Sequence, residues 1–250
     1  MINETADHLI EARRTQRAIS AAGAGPRNAQ AAYAVQDAVA RASGWFGAAP
    51  QSHWKSGGPA RDAELTHAPL PPAGVWSSPA EAGAWPFHLR GIEAEIALRL
   101  GREVDPALAL TLDLSAAAEL VDAMCVSIEV VDSRWAEGLE APALAKLADL
   151  QSHGALVLGP WIAFAPRDWA AQRCRVQIGA QAPVERQGTH SLADPAFVLP
   201  AWLRHATRAG RSVPAGTVVT TGTWVGILHA AAGELVTAEF AGIGRASVQL

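Results

Sequence analysis

The chain of 250 residues predicts an α+β fold. A helical N-terminal region, residues 1–50, leads into a β-rich domain, residues 51–250, with a mixed, largely antiparallel core. Three observations carry this expectation. Helical spacing of apolar residues dominates the first 43 positions. Beyond residue 90 the period drops to two in a series of short runs. Those runs are unevenly spaced with few helices between them, unlike the regular alternation of a doubly wound sheet.

Taken in order, residues 3–22 place Ala6, Leu9, Ile10, Ala18 and Ile19 on a loose helical stripe. Residues 28–43, NAQAAYAVQDAVARAS, read as a second helix with Asn28 as N-cap and Gly44 as its stop. The stretch 44–90 is rich in Gly, Pro and Trp, and PLPPAGVWSSPAEAGAWP (69–86) reads as a connecting segment. Ordered connections of that length tend to lie near function. Strands are expected at 91–100, 124–133, 155–159, 173–179, 217–221, 235–240 and 244–250. Helices are expected at 115–122 and at 194–209, the latter ending at Gly210.

Composition narrows the function classes. The net charge is −4 and no basic block is present, so nucleic acid is not an expected partner. No apolar run approaches the ~18 residues of a membrane span, and the polar start MINETADHLIEARRTQ lacks the pattern of a signal peptide. Cys125 and Cys174 lack metal-type spacing. A cytoplasmic protein is expected. Of 20 basic residues only Lys55 and Lys146 are lysine. In a chain that uses Arg so freely, a retained Lys marks a place where a compact ammonium serves and a planar guanidinium does not.

The chemistry-bearing stretch is GIEAEIALRLG (91–101). Strand alternation puts Ile92, Ala94, Ile96, Leu98 and Leu100 on one face and Glu93, Glu95, Ala97 and Arg99 on the other. Glu is a poor strand former, and two on one face repel. In CVSIEVVDSR (125–134), Glu129 lies between Ile128 and Val130, where an anion is costly unless paired or metal-bound. Three converging carboxylates suit a hard cation such as Mg2+ or Mn2+. The competing explanation is a solvated edge strand in which Glu93 and Glu95 pair with Arg90 and Arg99.

These segments, followed by LADLQSHGALVLG, VPAGTVVTTGTWVG and FAGIGRASV, resemble in order the fumarylacetoacetate hydrolase superfamily, most closely its branch of 2-keto-4-pentenoate hydratases and 4-oxalocrotonate decarboxylases. The resemblance spans roughly residues 50–250. It implies a mixed β-roll or barrel-like core and a metal site of Glu93, Glu95 and Glu129. It also implies a metal-dependent lyase acting on a small 2-oxo or 2-hydroxydienoic acid in aromatic-compound degradation, hydratase-like in the first place, with a 4-oxalocrotonate-type decarboxylase, an acylpyruvate C–C hydrolase or a non-catalytic partner subunit as alternatives; the metal would act as a Lewis acid toward the enolate form. Homo-oligomers, and association with a related decarboxylase or hydratase subunit, are family expectations.

Motif matching carries further residues over. HWKSGG puts Lys55 at the position of the family's active-site lysine. ADLQS matches the family's A-D-N-A-S segment, giving Ser152 as a substrate contact and Leu150 where the family has Asn. Thr221, Gly222 and Thr223 match a turn at the pocket's edge. Two departures bear on the reaction: the family's loop Asp falls on Pro72 and Ala73, and Leu150 removes a polar group. Among the histidines, His153 beside Ser152 ranks first as a replacement, then His53, with His67 also near. Lys146, in the polar stretch APALAKLADL, reads as a solvated residue, and Trp54, Trp135 and Trp224 as candidates for an apolar pocket wall. The branch that hydrolyses C–C bonds uses a His–Glu pair, and the nearest such pair here is His8 with Glu11.

Overall fold

The structure is a computed structural model and describes residues 2–250. Helices α1 (Ile2–Thr15) and α2 (Ala29–Ala42) open the chain. There follow β1 (His53–Gly57), β2 (Thr66–Pro69), β3 (Val75–Ser77), β4 (Ala80–Glu81), β5 (Gly91–Leu100), α3 (Pro106–Thr111), α4 (Leu114–Ala118) and β6 (Val121–Val131). The second half holds α5 (Ala143–Ala148), β7 (His153–Leu158), β8 (Ile162–Ala163), β9 (Arg173–Ile178), β10 (Val184–Gln187), α6 (Leu199–Ala206), β11 (Val218–Thr220), β12 (Leu228–His229), β13 (Leu235–Phe240) and β14 (Gly244–Gln249).

Nine strands form a curled half-barrel sheet in the order β2-β1-β11-β5-β6-β7-β3, with β12 beside β5 and β8 beside β6. Five form a second sheet in the order β10-β9-β13-β14-β4. The pairs β1–β11, β3–β7 and β14–β4 are parallel and the rest antiparallel, so the expected α+β class with a mixed, largely antiparallel core is the one observed. The sheets meet face to face: Ile92, Ala94, Ile96, Met124, Val126 and Ile128 share one core with Val176, Val236, Phe240 and Val248. Because β5 and β6 give that core their even-numbered positions, alternation sends Glu93, Glu95, Ser127 and Glu129 to the opposite face.

Asn28 caps α2 as expected, its Oδ1 accepting from the Ala31 N–H at 2.8 Å. The first helix is shorter than the stripe predicted. Gln16 takes φ +56, which ends it, and Ile19 instead forms a bridge with Trp135. The helix expected at 194–209 is a 3-10 turn, Pro195–Val198, followed by α6, because Asp194 caps the turn and Pro200 lacks the N–H that would continue one helix through both. The helix expected at 115–122 stops at Ala118, and its last two positions belong to β6. The connecting segment 69–86 carries β3 and β4, which join different sheets and so tie the two layers together. Among the described residues no helix is long and apolar enough to cross a membrane. Cys125 and Cys174 are free and buried.

Candidate metal centre and its cavity

Register brings the acidic residues together. Glu93 of β5 lies directly opposite Glu129 of β6, and Glu95 is opposite Ser127. Like charges facing each other across a ladder destabilise it, and here they do so in a nearly dry place: Glu129 is fully buried and Glu95 almost so. Oxygens of the three carboxylates lie within 4.8 Å of one another. Arg99 does not relieve them. It forms a two-point ion pair with Asp122 at 2.9 Å, while Arg90 sits over the Phe87 ring. The solvated-edge explanation therefore fails for this pair of glutamates.

Glu129 treats its two oxygens differently. Oε1 accepts from Lys55 Nζ at 2.5 Å and from His153 Nδ1 at 3.0 Å, whereas Oε2 is buried without a partner. Since a carboxylate only accepts, the proton of His153 sits on Nδ1, which leaves Nε2 as a buried, unpartnered lone pair. Burial holds His153 below the ordinary histidine range and therefore neutral. Burial opposes the charge of Glu129 as well, but Lys55 and His153 outweigh it and keep its carboxyl low. Lys55 draws Glu93 and Glu95 down as well, but for these two the opposing effects are larger. Burial first, then repulsion among the acids, pushes them up to about 8 and about 7. On Lys55 burial works against the charge, and the three glutamates outweigh it and raise its pKa.

Polar side chains orient the second carboxylate. Thr220 Oγ1 donates to Glu95, which obliges Ser127 to donate to Thr220 at 2.9 Å. The Gly222 N–H adds a backbone hydrogen bond to Glu95, and His190 Nε2 donates to the Thr221 carbonyl at 2.9 Å, bracing that turn. An orphaned buried oxygen, two carboxyls driven toward protonation by burial and by neighbouring carboxylates, and an all-oxygen donor set fit one divalent cation held by Glu93, Glu95 and Glu129.

The cluster opens on a cavity of about 520 Å³ lined by Lys55, Gln151, Ser152, Thr220, Gly222 and Thr223, among others. Ser152 Oγ is buried there without a partner. Several sequence-derived positions fall elsewhere. Leu150 is buried in the core and does not line the cavity. Leu150, Gln151 and Ser152 take φ between +53 and +58, and this left-handed run points Gln151 and Ser152 inward in place of Leu150. Thr221 turns its hydroxyl onto the Ile96 carbonyl at 2.7 Å, so Thr220 supplies the threonine of the cavity. His153 stands behind Glu129 and lines a separate cavity with Pro72, Ala73 and Asp132. His53 pairs with Ser52 and His67 with Ser56, both away from the glutamates. Trp54, Trp135 and Trp224 are fully buried and belong to the core. His8 and Glu11 are exposed on α1, with Glu11 paired to Arg14. Lys146 is the opposite correction: it is half-buried and lines the cavity, donating to the Leu139 carbonyl at 2.8 Å.

The fold and the three-glutamate centre together define a class. Residues 46–250 match the fumarylacetoacetate (FAA) hydrolase C-terminal family, and the chain belongs to it. In solved structures it is similar to 4-oxalocrotonate decarboxylase from Pseudomonas putida G7, complexed with calcium and acetate. The TM-score is 0.82 at 19% identity, over 99% of this chain and 96% of that one. The same enzyme complexed with magnesium and adipate matches at 0.82 and 18%, with the same coverage. Fumarylacetoacetate hydrolase from psychrophilic Exiguobacterium antarcticum matches less extensively, with a TM-score of 0.56 at 16% identity over 80% of this chain and 75% of that one. At these identities the likeness is one of fold. No curated protein is a significant match.

Proposed function

We propose that this protein is a divalent-cation-dependent lyase acting on a small 2-oxo acid, and that loss of CO2 from a vinylogous β-keto acid is the reaction its cavity suits best. The observation that carries this reading is the division of Glu129, with one oxygen saturated by Lys55 and His153 and the other bare beside Glu93 and Glu95. A cation held by those three carboxylates supplies Lewis acidity toward the 2-oxo group.

The chain's own residues account for the rest. In decarboxylation the C–C bond breaks and its electron pair passes into the conjugated 2-oxo system. The resulting dienolate then takes up one proton. That sequence needs an acid, and Lys55, kept cationic at the cavity floor, is one. Ser152 and Gln151 orient the substrate beside it.

Hydration of a dienol, the second reading, needs in addition a base that takes a proton from water. The three glutamates are committed as ligands, and His153 lies behind Glu129 outside this lining. Pro72 and Ala73, where the family's loop acid falls, line the other cavity. The full-length likeness to a decarboxylase favours the same order.

The test is ultraviolet absorbance of 2-hydroxyhexa-2,4-dienedioate with metal-stripped protein, before and after Mg2+ is returned. Loss of the dienol band only with Mg2+, and a product lighter by CO2, is the expected result. A product heavier by water would make the enzyme a hydratase. No turnover while Mg2+ is demonstrably bound would overturn the lyase reading.

A further inference from the structure

Two basic side chains line the cavity onto which Glu93 and Glu95 open, and they are Lys55 and Lys146. All 18 arginines lie elsewhere, although they make up the rest of the 20 basic residues. Choosing two of 20 positions at random (20 times 19, halved) selects the two lysines about once in 190. The lysines are thus retained together, at one place in the fold.

Their surroundings differ. Lys55 is committed to Glu129 at 2.5 Å and to the Gln151 carbonyl at 3.1 Å. Lys146 Nζ donates to the Leu139 carbonyl and forms no ion pair among the described residues, so the remaining N–H directions of its ammonium are open. Glu64, exposed at the rim, forms no ion pair with it either. The same lining includes Thr66, Val131, Ile227 and Leu139, and the volume of about 520 Å³ has room for a six-carbon chain.

We propose that Lys146 binds the distal carboxylate of a 2-oxo dicarboxylic acid whose 2-oxo end sits at the three glutamates, which makes Lys146 the residue that selects dicarboxylates over monocarboxylates. This rests on the reading of the cavity as a 2-oxo acid site. A lysine suits the task better than an arginine. Its single ammonium on a flexible stem holds a carboxylate without the two-point clamp of a guanidinium. When the distal carboxylate is the one lost as CO2, the product lacks the group that Lys146 holds and is released. Hydration of a monocarboxylate would leave Lys146 without a ligand.

The experiment is calorimetric titration of the Mg2+-loaded protein with 2-oxoadipate and with 2-oxohexanoate, which share chain length and 2-oxo acid head and differ in the distal carboxylate. Wild-type protein is expected to bind the dicarboxylate about tenfold more tightly or better, as one charge-assisted contact allows. Lys146→Met removes that preference and leaves 2-oxohexanoate affinity within about twofold. Lys146→Arg keeps the charge and most of the preference, which guards against reading a folding defect as a lost contact. Equal affinity for the two acids in wild type, or equal loss of both in Lys146→Met, overturns the assignment of Lys146 while leaving the 2-oxo acid site standing. Failure of both acids to bind in a Mg2+-dependent way overturns the site itself, and the assignment with it.

Discussion

Among the described residues Lys55 is the only cation in contact with Glu129, a carboxylate that is fully out of water. Removing one partner of such a pair leaves the other charge buried and uncompensated, a change that costs about 3–5 kcal/mol. Lys55→Met in metal-free protein is therefore expected to lose stability in that range by urea denaturation, with Glu129 driven toward protonation. Saturating Mg2+ should return part of the loss, because a dication offers Glu129 a second counter-charge. An Mg2+-insensitive loss would break the link between Glu129 and the metal. Activity has no such rescue in this variant, since Mg2+ replaces the charge of Lys55 and not its proton. A variant that regained stability and full turnover together would remove Lys55 from the chemistry.

Elements place these side chains, and the loop between α5 and β7 is the most consequential. Three successive non-glycine residues in the left-handed region are costly. What holds them is Asp149, which accepts from Arg134 Nε at 2.8 Å, the Arg134 N–H at 2.9 Å and Arg13 at 2.9 Å. Asp149→Ala leaves Arg134 buried without its main counter-ion and frees the loop. The expected result is a loss of about 3–5 kcal/mol and a fall in kcat/KM at temperatures where the variant stays folded, although Asp149 does not line the cavity. Unchanged turnover would mean that Gln151 and Ser152 are not held by this network.

The same loop shows where sequence reading stops. The long alternation of β5 places its ends correctly at 91 and 100, and with β6 it assigns the three glutamates to one face, because a period of two kept up over many residues is hard to misread. The strands β1 to β4 span two to five residues amid Pro and Gly, too short for any period to register. Leu150 and Ser152 were placed by motif, and a run of positive φ then decided which of them faces the cavity. Thr221 was one residue off, because only the pairing of β11 with β5 fixes which threonine faces Glu95. Lys146 reads as solvated by its helical neighbours, whereas its ammonium turns back to the Leu139 carbonyl and the side chain lines the cavity. His190, which braces the Thr221 turn, carries no local signal at all.

At the scale of the whole molecule, the N-terminal helices share a core with Trp135, Ala145 and Leu147, and Arg13 reaches Asp149, so packing far from the glutamates bears on them. A second joint of this kind lies where β2, α2 and α6 meet. His67 and His205 pack ring on ring at 4.7 Å, with Tyr33 4.3 Å from His205. Burial, reinforced by Arg208 and Arg204 on His67 and by His67 and then Arg208 on His205, pushes their pKa values down to about 3 and about 2. In the unfolded chain both titrate near 6.5. Below that pH the unfolded state therefore binds protons that the native state refuses, so stability is complete above pH 6.5 and is lost as pH falls. By pH 5 the loss is about 2 kcal/mol per histidine, at about 1.4 kcal/mol for each pH unit. Metal-free Glu93 and Glu95, with raised pKa values, contribute with the opposite sign, weakening the fold as pH rises, so the measurement belongs in saturating Mg2+. His205→Phe keeps a ring in place and orphans no hydrogen bond, since Nε2 has no partner. It is expected to leave stability at pH 7.5 unchanged or higher and to cut the slope of stability against pH between 6.5 and 5 by at most about a third, because His67 and His190, the latter pushed down to about 4 by burial, supply the rest. A slope equal to that of the wild type would show that the acid sensitivity of the fold arises elsewhere.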